Sequence, residues 1–162
     1  MATVYLGLGS NIDAGKNLRT AVDALRHRYG ELTVSPVYRS AAVGFEGPDF
    51  LNLVVALRTE ATPSELLDEI ERIHAIAGRS RGPDRYMSRP LDIDLLLFDD
   101  LVEPAPPLRL PRRDILEYGF VLRPLADIAP DLVHPLTGRP IAEHWRDFAV
   151  DSHPLTPVDV VL

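Results

Sequence analysis

Val4, Leu6 and Leu8 alternate with Tyr5, Gly7 and Gly9 over Thr3 to Gly9, a period of two that predicts a strand with one apolar face. Gly9 to Asp13 reads as a turn. The period then changes. Leu18, Ala21, Val22, Leu25 and Tyr29 recur at helical spacing, and Gly30 supplies the stop. Leu32 to Tyr38 reads as a second strand, interrupted by Pro36 and therefore at an edge or bulged. Arg39 to Asp49 is a glycine-containing loop, and Phe50 to Thr59 a third strand. Thr62-Pro63-Ser64-Glu65 is a capping box with proline at the first helical position. Leu66, Leu67, Ile70, Ile73 and Ala77 line one face of the helix it opens, and Gly78 ends it. Leu95 to Phe98 is a continuous apolar run, the mark of a strand covered on both faces.

The order β-α-β-β-α-β is the split βαβ or ferredoxin-like pattern. It predicts an α+β fold, an antiparallel sheet with two helices on one face. A C-terminal loop and helix extension follows. It comprises a proline-rich loop from Glu103 to Pro107, a helical stretch around Asp114 to Asp127 and a helix-like piece near Ala142 to Phe148. From Asp151 onward no element is legible. The 162 residues fit one domain, 1–162, large enough to bury a substantial core.

Composition narrows the class. A net charge of −7 argues against a broad nucleic-acid surface. No window reaches the roughly 20 apolar residues that cross a membrane, and Met1 to Tyr5 carries no basic leader. There is no cysteine, which excludes disulfides and thiolate metal sites and makes the cytoplasm the default compartment. Small-molecule substrates, a monomeric state and no nucleic-acid or membrane partner are expected.

Asp92 and Asp94 carry the chemistry. At i and i+2 on a strand their carboxylates share a side, with Cα atoms roughly 6.6–7 Å apart. Ionised carboxylates beside a buried strand call for a cation, and hard oxygen ligands suit Mg²⁺. By themselves three residues of the form Asp-x-Asp more often mark a solvated strand mouth. The preceding segment changes the odds: Arg79, Arg81, Arg85 and Arg89 fall within eleven residues, around Gly82-Pro83. Guanidinium groups bind phosphate oxygens in a fork. An anion clamp leading into a two-carboxylate metal site is what nucleotide phosphate chemistry requires. His27, His134, His144 and His153 show no metal spacing, and His74 reads as a partly exposed helix residue.

These words resemble the 6-hydroxymethyl-7,8-dihydropterin pyrophosphokinases of folate biosynthesis. The matching runs are Gly7-Leu8-Gly9-Ser10-Asn11, Val37-Tyr38-Arg39-Ser40, Pro48-Asp49-Phe50-Leu51-Asn52, Gly78-Arg79-Ser80-Arg81, Arg89-Pro90-Leu91-Asp92-Ile93-Asp94, Gly119-Phe120-Val121-Leu122-Arg123-Pro124-Leu125 and Ile128-Ala129-Pro130. The resemblance implies transfer of pyrophosphate from ATP to the pterin hydroxymethyl group with release of AMP. It makes Asp92 and Asp94 ligands of two Mg²⁺ ions and Arg79 and Arg89 phosphate-facing catalytic arginines. Arg81 and Ile93 fall on the nucleotide side. It also implies that Phe50 and Phe120 sandwich the pterin, that Asn52 hydrogen-bonds it, that Ser40 and Val43 edge it, and that Tyr86 closes over it.

The sequence departs from the family on the nucleotide side. Pro111-Arg112-Arg113 stands where the family has Pro-His, so Arg112 or Arg113 becomes the candidate phosphate contact. Tyr118 replaces a usual arginine, and Ile73-His74 replaces Ile-Glu. Besides the pyrophosphokinase, two alternatives stay open: a paralogue acting on a related pterin, and a non-catalytic nucleotide- or pterin-binding module.

Overall fold

The computed structural model describes residues 1–44, 46–78, 90–148 and 154–162. Along the chain these form β1 (Ala2–Ser10), α1 (Ala14–Tyr29), β2 (Thr33–Val34), β3 (Val37–Ser40), β4 (Phe50–Thr59), α2 (Pro63–Ile76) and β5 (Asp92–Phe98). Then come α3 (Asp114–Glu117), α4 (Gly119–Ile128), α5 (Ile141–Asp147) and β6 (Thr156–Val158). Among the described residues the strands make one sheet in the order β5-β1-β4-β3-β6, with β2 also paired to β4. Every pairing is antiparallel. The expected α+β, ferredoxin-like core is present.

The period-two pattern of β1 sends Val4, Leu6 and Leu8 to one face. There they pack with Leu53, Val55 and Leu57 of β4, Ile93 and Leu95 of β5, and the apolar stripes of both long helices: Leu18, Val22 and Leu25 of α1, and Leu66, Ile70 and Ile73 of α2. Fully burying an aliphatic side chain contributes about 1.5–3 kcal/mol, so this layer dominates stability. The capping box that starts α2 is formed: Glu65 N–H donates to Thr62 Oγ1 at 3.2 Å and Thr62 N–H to Glu65 Oε1 at 3.0 Å. Gly30 ends α1 at φ 83°, its N–H donating to Arg26 O.

The opposite face is not bare. Val54, Leu96 and Leu97 meet Ile115 of α3, Val121, Leu122 and Leu125 of α4 and Ile141 of α5. Two helices do lie on one face as expected, and the C-terminal extension supplies a further layer on the other. A bulge allows β5 to serve both. Its register against β1 shifts between Tyr5 and Leu6, so Leu96 is the extra residue and successive leucines reach the second layer. Tyr38 ties that layer to the sheet. Its hydroxyl donates to Asp127 Oδ2 at 2.5 Å, and the Arg123 guanidinium lies 4.7 Å from its ring centroid. Burial first, and the Asp127 bond second, push the Tyr38 phenol up to about 12.

Three details differ from the sequence expectation. The second strand is two strands, because Pro36 breaks it. Across the break Ser35 N–H donates to Val54 O (2.9 Å), and Ser35 Oγ accepts from Val54 N–H (2.8 Å). The helical stretch from Asp114 is likewise divided, at Tyr118, whose φ of −125° and ψ of 126° are extended. The tail is not featureless: β6 covers the edge of β3, pairing Thr156, Pro157 and Val158 with Arg39, Tyr38 and Val37. A three-residue strand containing proline carries too little periodicity to be recognised.

Candidate active site

Cross-strand neighbours share a face, and the register sets two informative rows. Asp92 on β5, Gly9 on β1 and Asn52 on β4 stand side by side, as do Asp94, Gly7 and Val54. The two glycines of β1 lie directly opposite the two carboxylates. Each row crosses three strands, about 10 Å at the ordinary strand spacing, with no side chain in the middle. That gap forms the floor of a cavity of about 390 Å³ lined by Gly7, Gly9, Ser40, Val43, Phe50, Asn52, Asp92, Asp94, Asp114, Tyr118 and Phe120, among others.

The two glycines differ in how tightly they are needed. A Cβ at Gly9 would stand 3.0 Å from Asn52 Oδ1 and 3.7 Å from the Phe50 ring, and one at Gly7 would stand 3.4 Å from Leu96. Asn52 is buried, and its amide donates to Ser40 Oγ at 2.8 Å. The amide is thus oriented by a side chain on β3. The Ser10 hydroxyl donates to Pro90 O at 2.5 Å, which fixes the entry of β5 and hence of Asp92 against the end of β1.

Asp92 and Asp94 project to the same side, as their spacing requires, and both line the cavity. Ile93, between them, turns its side chain into the core under the helices, and its N–H donates to His74 Nε2 at 2.9 Å. Its side chain does not reach the cavity expected to hold nucleotide. His74 is buried, 4% exposed, where a partly exposed helix residue was expected. As acceptor for a β5 amide it steadies the strand between the two carboxylates.

Phe50 and Phe120 both face the cavity, half-buried, from β4 and α4. Tyr118 stacks on Phe120 with ring centroids 4.9 Å apart and planes 19° apart. Ser40 and the exposed Val43 form the rim. The two arginines after Pro111 part company. Arg113 is 89% exposed and bonds Glu117 at 2.9 Å, whereas Arg112 turns inward, its Nη2 3.3 Å from Asp94 Oδ1 and its Nε 3.4 Å from Asp114 Oδ2. Burial opposes the Arg112 charge, but Asp94, Asp114 and Asp92 outweigh it and hold the guanidinium above its ordinary pKa. Arg79, Arg81, Tyr86 and Arg89 lie outside the described residues.

The donor set suits Mg²⁺. Hard carboxylate oxygens from Asp92 and Asp94 line the cavity, and the Arg112 guanidinium sits 3.3 Å from one of them. Among the described residues no group of three or more His, Cys, Asp or Glu side chains could enclose a metal. An Mg²⁺ ion takes one or two carboxylates and completes its shell with water and substrate phosphate, so the Asp92 and Asp94 oxygens are a fitting donor set. Asp114 was not foreseen as a site residue, and Tyr118 was noted only as a departure from the family on the nucleotide side. Neither obeys a periodicity; the chain break at Tyr118 brings both to the cavity.

Such a cleft, acidic at one end and aromatic with an amide at the other, on the C-terminal-layer face of an antiparallel α+β sheet, defines a small-molecule enzyme. The chain belongs to the family described as 7,8-dihydro-6-hydroxymethylpterin-pyrophosphokinase (HPPK), which matches residues 5–130. It is by that membership a diphosphotransferase. The 2-amino-4-hydroxy-6-hydroxymethyldihydropteridine pyrophosphokinase of Aquifex aeolicus is 37% identical over 145 residues, spanning 88% of this chain and 90% of that protein. The protein of that name from Porphyromonas gingivalis is 43% identical over 143 residues, spanning 83% and 95%. The solved HPPK-DHPS of Plasmodium falciparum shares the fold at a TM-score of 0.68 and 15% identity over 90% of this chain. This chain spans less than half, 43%, of that longer chain.

Proposed function

We propose that the protein transfers pyrophosphate from ATP to 6-hydroxymethyl-7,8-dihydropterin, releasing AMP, with two Mg²⁺ ions at Asp92 and Asp94. The observation that carries this reading is the pair of glycines opposite the pair of carboxylates. It leaves a flat-floored cleft with an acidic end for metal and phosphate and an aromatic, amide-bearing end for a planar heterocycle. Phe50 and Phe120 hold the ring between them. Asn52, oriented by Ser40, reads its polar edge, Val43 edges the ring, and Tyr86 takes the closing role that the resemblance to the family implies. A buried amide discriminates strongly, since a ring without matching groups leaves it unpaired.

The pterin hydroxymethyl oxygen attacks the β-phosphorus of ATP and gives up its proton to solvent water. The bond from that phosphorus to the oxygen bridging the α-phosphate breaks, and AMP leaves with the electron pair. Bound Mg²⁺ supplies neutralisation of the phosphate oxygens. Arg79, Arg81 and Arg89 take the phosphate side, as their resemblance to the family pattern implies, and Arg112 is, among the described residues, a cation set against the acidic end. Folate biosynthesis in the cytoplasm is the corresponding setting.

The test is the nucleotide product. Incubation with ATP, Mg²⁺ and 6-hydroxymethyl-7,8-dihydropterin yields AMP in step with pterin diphosphate. ADP as the main product makes the protein an ordinary kinase and removes the assignment.

A further inference from the structure

Arg112 occupies an unusual place. Its N–H donates to Leu96 O at 3.0 Å, which anchors it beside the β5 bulge. Its guanidinium reaches from there to Asp94 and Asp114, yet commits to neither. A guanidinium seated on one carboxylate makes two parallel bonds of about 2.7–2.9 Å. Here the two contacts are 3.3 and 3.4 Å, and the buried Nε makes no hydrogen bond. Among the described residues the arm is held mainly by charge, its contact with Asp114 at 3.4 Å being at most a weak, stretched bond.

Asp94 Oδ1 is also one of the oxygens proposed to bind metal. An ion about 2.1 Å from that oxygen would lie within roughly 5 Å of the guanidinium nitrogen, setting a double positive charge against a single one. Arginine keeps its proton, so it has no route to neutrality. It must give way or weaken the ion's hold. Asp114 offers it somewhere to go: it is already in contact, and it lines the cavity from α3 rather than from β5.

We propose that Arg112 is a positioning residue, an internal counter-ion that holds Asp94 until a divalent cation arrives and then withdraws onto Asp114. This rests on the reading of Asp92 and Asp94 as metal ligands. The arrangement keeps the acidic end of the cleft ordered before metal enters, and it lowers affinity for metal alone.

Mn²⁺ binding to the intact protein without nucleotide, followed by electron paramagnetic resonance, tests it. Arg112→Gln should bind Mn²⁺ more tightly than the unsubstituted protein, on the order of tenfold. Arg112→Lys, which keeps the charge, should stay near the unsubstituted value. Asp114→Asn should weaken binding, and by less in the Arg112→Gln background, because part of its effect acts through the arginine. Mn²⁺ should also raise the melting temperature of Arg112→Gln by more than that of the unsubstituted protein. Equal or weaker Mn²⁺ binding by Arg112→Gln, with binding still lost in Asp94→Asn, overturns the counter-ion role and leaves the metal site standing. Undiminished binding by Asp94→Asn removes the metal site and the counter-ion with it.

Discussion

On the face of the sheet under α1 and α2, the three long strands present Val4, Leu6, Leu8, Leu53, Val55, Leu57, Ile93 and Leu95. On the other face the same strands, toward one end, present Gly7, Gly9, Asn52, Asp92 and Asp94. The first face is filled by volume and has one role, to remove water. The second is emptied by design of the register: its glycines delete side chains where a core would place them, and its polar groups stand at the margin of the gap. Stability and chemistry are thereby assigned to opposite faces of single strands, one residue apart. Substitutions at neighbouring positions should then have effects of different kinds.

The largest contrast lies between Asp92 or Asp94 and everything behind them. Replacing either by asparagine should lower kcat/KM by about 10²–10³-fold or more, as expected for losing a group that organises transition-state charge. The fold should hold. Asp94 is partnered by Arg112, but Arg112 retains Asp114, so no buried charge is stranded. Full activity in either variant, measured by AMP release, would return these carboxylates to a structural role. Leu6→Ala, one residue from Gly7, should do the reverse. It should cost about 2–5 kcal/mol in urea unfolding while activity per folded molecule stays near normal. A loss of kcat in folded Leu6→Ala would dissolve the division between the faces.

Much of the first face was legible because period two and period 3.6 are repeated signals, and Thr62-Pro63-Ser64-Glu65 and Gly30 mark their boundaries. The second face was legible where short words carry it. Asp92 and Asp94 share a side by strand geometry alone, and the glycines of β1 showed as the polar half of an alternation. What was not legible depends on contacts distant in sequence. That His74 accepts a hydrogen bond from Ile93 N–H needs α2 placed on β5. Arg112 facing in while Arg113 faces out depends on the turn into α3. That Asp114 and Tyr118 reach the cavity depends on two short helices whose junction no local propensity announces.

A subtler probe separates the two glycines. Gly9→Ala puts a methyl group 3.0 Å from Asn52 Oδ1 and 3.8 Å from the Leu51 carbonyl, where the backbone does not yield. The amide must shift by a few tenths of an ångström, which disturbs the orientation its Ser40 bond sets. The pterin KM should rise about tenfold, the scale of one buried hydrogen bond left unmade, with the ATP KM little changed. Gly7→Ala meets only the ends of the Leu96 side chain, at 3.4 Å or beyond, which can shift. Its kinetics should change less. Equal effects at both positions would show that Gly9 is not holding space for Asn52.

The smallest expected effect concerns the layer over the second face, where polar groups are buried between α4 and α5. His134 is 2% exposed, its Nδ1 accepts from Leu136 N–H at 3.2 Å, and its ring meets that of His144 edge-on at 5.8 Å. Arg139, Asp147 and Glu143 are the charged groups around His144. Burial, and then the neighbouring histidine, hold His134 below its ordinary pKa of 6.5; burial, and then Arg139, do the same for His144. The folded state therefore binds fewer protons than the unfolded chain near pH 6. Stability from these groups is fully present above about pH 6.5 and is lost as pH falls through their folded values. His134→Gln removes one titrating group, so its urea midpoint should decline less between pH 7.5 and 5.5 than that of the unsubstituted protein. Trp145, the chain's one tryptophan, lies on α5 and reports this layer directly by fluorescence. The carboxylates elsewhere titrate alike in both proteins, so the difference between the two pH profiles isolates the histidine. Parallel profiles would show that the layer over the second face is as indifferent to acid as the aliphatic one beneath α1 and α2.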